Sequence, residues 1–160
     1  MKCHVDYMLS KVRKKLWTLR HVKAAGLCQS DLLKIYQTVI RPTLEYAVPT
    51  YHPMLTKEMC EEIESVQRRA CKLIFGWDSN YDKLLEDKKI ESLHDRREKM
   101  TLSFARKTLK NPRFASWFPQ RNYGDLNLRK EKKFDELFAR TERLKKSPLF
   151  YMRRALNASE

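Results

Sequence analysis

The residues of this 160-residue chain best placed to do chemistry are cations at helical spacing. Lys11, Arg13, Lys14 and Lys15 stand close together beside Trp17, and Arg96, Arg97, Arg106 and Lys107 recur farther along with Lys99 and Lys110. Rows of ammonium and guanidinium groups hold phosphates without reading sequence, and an aromatic ring beside them can stack on a base. Trp17 also has a second reading, burial against a neighbouring helix. That is the expected one, because Trp is highly buried on average.

Other chemistries find no purchase. Gly26, Gly76 and Gly124 lie too far apart for a phosphate-binding loop or a dinucleotide fingerprint. Asp78, Asp82, Glu86 and Asp87 lack calcium-loop spacing and read as a solvated loop, and no adjacent pair of aspartates exists for two-metal catalysis. His52 has neither a nucleophile nor an acid placed by local sequence, so it is expected to be packed or solvent-facing. Cys3, Cys28, Cys60 and Cys71 show no zinc spacing and read as reduced thiols of an intracellular compartment. The longest apolar run, Leu149 to Met152, excludes a membrane span and a signal peptide. Without a secretory signal, Asn157-Ala158-Ser159 matches a glycosylation acceptor only by chance. No metal, cofactor or enzymatic activity is expected of the chain alone.

The net charge of +14 is unevenly distributed. Residues 1–27 carry +6, residues 28–91 carry −2 and residues 92–160 carry +10. Both ends favour polyanions, nucleic acid before membrane surfaces, and a solvated basic surface is the plainer alternative.

Helices must position these groups. Few glycines and a hydrophobic fraction of 42% predict an all-α protein, an irregular bundle of four main helices over 1–111 with a loosely packed basic extension over 112–160. Val5, Leu9, Val12, Leu16 and Leu19 predict a first helix from Val5 to His21, ended by Gly26. The stretch Leu32 to Pro53 predicts a central helix, apolar over two adjacent rows that include Val39 and Tyr46, with a kink or break at Pro42 and an extended segment through Pro49 and Pro53. Its N-cap is ambiguous among Cys28, Gln29 and Ser30. Thr56 should cap a third helix that Gly76 closes, followed by a short turn around Tyr81 to Leu85. Ser92 should open a fourth, reaching Leu109, with Leu93, Met100 and Phe104 facing the core. Beyond a polar turn at Gly124, one modest helix is expected between Leu128 and Lys146, and Ser147 to Met152 should dock on the bundle.

Read together, HVDYMLSKVRKKLWTLRHVKAAGL, SDLLKIYQTVIRPTLEYAVPTYHP, IESVQRRACKLIFG and IESLHDRREKMTLSFARKTL resemble, in order and spacing, the C-terminal part of reverse transcriptases of jockey-like non-LTR retrotransposons. The most specific blocks are Ile40-Arg41-Pro42 with Leu44-Glu45-Tyr46, and Leu93 to Arg97. The resemblance implies the thumb and following region of an RNA-directed DNA polymerase whose palm aspartates and endonuclease lie upstream. It further implies backbone-directed binding of RNA, DNA or their hybrid, with the palm of a parent polymerase as a second partner. The family commonly has Ser where Cys28 stands. A helical protein–protein interaction module, domesticated or decayed, is the alternative.

Overall fold

The computed structural model describes residues 1–77, 79–120, 133–135 and 138–158. In chain order it comprises α1 (Lys2–Ala24), α2 (Gln29–Ile35), a π-helical segment (Tyr36–Ile40), α3 (Arg41–Glu45), α4 (Val48–Tyr51), a 3-10 turn (His52–Met54), α5 (Lys57–Phe75) and α6 (Tyr81–Asp87). There follow α7 (Leu93–Leu109), a second 3-10 turn (Pro112–Trp117), α8 (Glu142–Lys145) and α9 (Pro148–Ala158). The protein is an all-α irregular bundle whose long elements are α1, the α2–α3 run, α5 and α7. Among the described residues no strand forms, and no helix is long and apolar enough to cross a membrane. The chain groups into two units, 1–48 with 55–97 and 49–54 with 98–160.

In the first unit α1 packs against α5 and the α2–α3 run. Its stripe of Val5, Leu9, Val12, Leu16 and Leu19 is buried, as the spacing requires, and Met8 joins it. Gly26, at φ +92°, reverses the chain in a conformation that a β-carbon disfavours.

The α2–α3 run buries every fourth residue: Leu32, Tyr36, Ile40 and Leu44. An α-helix turns every 3.6 residues, so a strict four-residue row would drift around it. The wider π turn at Tyr36–Ile40 offsets that drift. Its origin lies in Pro42, which has no N–H to give; the Arg41 N–H reaches back five residues to the Tyr36 carbonyl instead. The kink expected at Pro42 is thus taken up as a bulge just before it. The second apolar row is covered only at its start: Leu32 is buried, but Val39 and Tyr46 are both exposed. The following segment is not extended. Ala47, at φ +55°, turns the chain into α4, where Pro49 occupies a first turn that needs no N–H from it.

Caps fix the remaining helices of this unit. Thr56 Oγ1 accepts from the Met59 N–H at 3.3 Å, Asn80 Oδ1 from Asp82 at 3.0 Å, and Ser92 Oγ from Asp95 at 3.1 Å. Asn80 makes α6 longer than the turn expected there. A buried polar chain ties the elements together. The Tyr36 hydroxyl donates to Gln67 Oε1 at 2.6 Å, Gln67 Nε2 donates to the Tyr81 hydroxyl at 2.9 Å and the Glu91 carbonyl at 3.0 Å, and Tyr81 donates to Glu64 Oε1 at 2.6 Å.

The inward face of α7 is Leu93, Arg97, Thr101, Ala105 and Thr108. Phe104, expected inside, is exposed, because two threonines and an arginine hold the buried positions that an apolar pattern would have marked.

The second unit is built on Ala105, Phe118, Phe134, Met152 and Leu156. The Asn157 amide pairs with both backbone groups of Phe134, accepting at 3.0 Å and donating at 3.1 Å, so the side chain of the chance acceptor motif is engaged internally. Arg153 Nε donates to the Trp117 carbonyl at 2.7 Å. His52 is buried with Nε2 3.3 Å from the Tyr151 hydroxyl, a packed histidine. Of the helix expected between Leu128 and Lys146, residues 128–132 and 136–137 lie outside the described residues, as does the turn at Gly124. Among the described residues of that stretch, Phe134 forms an isolated bridge with Gln120 and Glu142–Lys145 is helical, capped by Thr141.

Candidate functional site

The cations expected to meet phosphate divide into two sets. Lys11, Arg13 and Lys14 on α1 and Arg106 and Lys107 on α7 are exposed, and none has a carboxylate partner among the described residues. The others serve the fold. Lys15 Nζ donates to the Val39 carbonyl at 2.9 Å and Thr43 Oγ1 at 2.6 Å, tying α1 to the π segment next to Pro42. Arg96 donates to both oxygens of Glu45, at 2.5 and 3.2 Å, and this pairing raises its pKa above the usual guanidinium value. Arg97 is only 1% exposed, which removes it from any surface.

Two hollows in the first unit and one in the second are lined by these groups. On α7, Lys99, Ser103, Arg106, Lys107 and Lys110 border a cationic hollow of about 360 Å³ floored by Leu102. A larger groove of about 730 Å³ runs beside α1, where Tyr7, Met8, Val39, Pro42 and Tyr46 present apolar surface rimmed by Lys11 and Lys15. The Lys11 ammonium stands 4.4 Å from the centre of the Tyr7 ring.

The third, of about 330 Å³, joins Trp17 and Trp77 with Arg13, Arg20 and Arg69 over Leu16 and Leu73. Trp17 is 64% exposed and Trp77 67%, so the expected burial of Trp17 does not occur. The reason is visible on α1: Val12, Leu16 and Leu19 fill the inward positions and leave Trp17 facing solvent, its ring against His21 at a centroid distance of 3.7 Å. Sequence reasoning missed Arg20, Arg69 and Trp77. Arg13, Trp17 and Arg20 are spaced four and three, a signal available on α1; the approach of Trp77 depends on Gly76, which turns the chain at φ +114°.

Among the described residues no cluster of metal-capable side chains forms. Burial pushes the Cys71 thiol up to about 11, far from a nucleophilic thiolate at neutral pH. Cys28 Sγ lies 3.1 Å from Asp31 Oδ2, and that contact, ahead of Lys34, lowers the Asp31 pKa. Comparison with protein-family models, curated proteins and solved structures found no match.

Proposed function

We propose that this chain is a nucleic-acid-binding helical module, equivalent to the thumb and following region of a non-LTR retrotransposon reverse transcriptase and catalytically silent by itself. The observation that carries the reading is the set of exposed α1 cations Lys11, Arg13 and Lys14, none of which has a carboxylate partner among the described residues. Other cations are neutralised instead: Lys34 by Asp31, Arg68 by Glu61, Arg96 by Glu45. Cations left unneutralised bind a phosphate backbone and release counterions. Fluorescence anisotropy with RNA, DNA and hybrid oligonucleotides tests this: affinity should fall steeply with salt, and binding insensitive to salt overturns it. Primer extension with Mg²⁺ by these 160 residues should yield no product.

A second reading rests on the groove of Tyr7, Val39 and Tyr46, an exposed apolar surface suited to a protein partner such as a polymerase palm. It predicts an assembly that survives high salt in size-exclusion chromatography.

A further inference from the structure

We infer that the Trp17–Trp77 hollow is a stacking site for an unpaired base of single-stranded RNA or DNA, an inference that rests on the nucleic-acid reading above. Trp is ordinarily among the most buried side chains on average, yet two rings from different segments are both about two-thirds exposed and border one hollow. Arg13, Arg20 and Arg69 line it without a carboxylate, and none of the three makes an ion pair among the described residues. The neighbouring Arg68, by contrast, is tied to Glu61. Aromatic faces with unneutralised guanidiniums match a ligand that is flat and apolar on one part and anionic on another, the chemistry of a nucleotide.

The site is held in place from both sides. Lys23 Nζ donates to the Leu73 carbonyl at 2.6 Å, fixing α1 against the last turn of α5, and the Lys72 ammonium stands 6.0 Å from the Trp77 ring centre. At about 330 Å³ the hollow is near the lower end of the range of roughly 300–1,000 Å³ typical of small-molecule sites, room for a base and its phosphate rather than for a helix. In a duplex the faces of the bases are already stacked on one another, so a single strand is the occupant that can use both tryptophans.

The test compares a short uridine-rich single strand with a blunt duplex of equal length, by anisotropy on the whole chain. Trp17→Ala and Trp77→Ala should each weaken single-strand binding by about 5- to 150-fold while leaving duplex binding nearly unchanged. Trp17→Phe, which keeps a ring, should restore most of the loss and controls for misfolding. Lys11→Gln with Lys14→Gln should weaken both ligands alike. If that cation pair weakens both ligands and the tryptophan variants change neither, or change both equally, the stacking site is overturned and backbone binding stands. If the wild-type chain binds no oligonucleotide, both readings fall, and the hollow is left as surface for a protein.

Discussion

Arg96 on α7 clasps Glu45 on α3, with Nε 2.5 Å from Oε1 and Nη2 3.2 Å from Oε2, while Arg41 Nε lies 3.6 Å from the same carboxylate. The Glu45 side chain is only 11% exposed, so it depends on these guanidiniums. Replacing Arg96 with Met should destabilise the protein by about 2 kcal/mol, the typical worth of hydrogen bonds to a charged group, read as a lower urea midpoint. The salt dependence of oligonucleotide binding should not change, because this cation is already spent.

The chain Tyr36–Gln67–Tyr81–Glu64 makes a sharper demand. Gln67→Leu strands the hydroxyl of Tyr36 and should cost about 1–3 kcal/mol of stability, measured by denaturant unfolding.

The same region predicts alkaline instability. Burial, with the neighbouring Cys71 second, pushes the Tyr36 phenol far above its ordinary value of 10.0, and burial lifts Cys71 from 9.0 to about 11. Both groups keep their protons in the folded state at pH values where the unfolded chain loses them. Stability is therefore full below about pH 9 and falls as pH rises, first through the thiol and then, above about pH 10, through the phenol. Thermal midpoints across this range should show the fall, and Tyr36→Phe should flatten its upper part.

Cys28 is the N-cap of α2, with extended backbone but no side-chain bond to the helix amides. Serine is a preferred cap. Cys28→Ser should raise stability by about 0.5–1 kcal/mol, visible as a higher melting temperature.

Lys15 and its neighbours on α1 should separate cleanly. Replacing Lys11 and Lys14 with Gln should reduce the slope of log K against log salt by about 1.5, with stability unchanged. Lys15→Met should do the reverse, lowering stability by about 1 kcal/mol through its lost bonds to Val39 and Thr43 and leaving the slope intact.

Much of the helical scaffold could be read from the chain. The inward stripe of α1, the caps Thr56 and Ser92, and Gly76 closing α5 each depend on a few residues within one or two turns, and all appear as expected. On α7 apolarity alone points Phe104 inward and Arg97 outward, whereas the helix turns Arg97, Thr101 and Thr108 inward.

By itself the sequence determined the all-α class, the main helices and the concentration of positive charge toward the two ends, because periodicity, capping and charge are local properties of the chain. Only the tertiary structure decided which cations remain available. Lys15, Arg96 and Arg97 resemble Lys11, Arg13 and Lys14 in composition and spacing, but they differ in whether a carbonyl, a carboxylate or a packed neighbour stands opposite them. The meeting of Trp17 with Trp77 is of the same kind. It needs two helices to approach and a glycine to turn the chain between α5 and the second ring, a relationship across sixty residues that no local pattern carries.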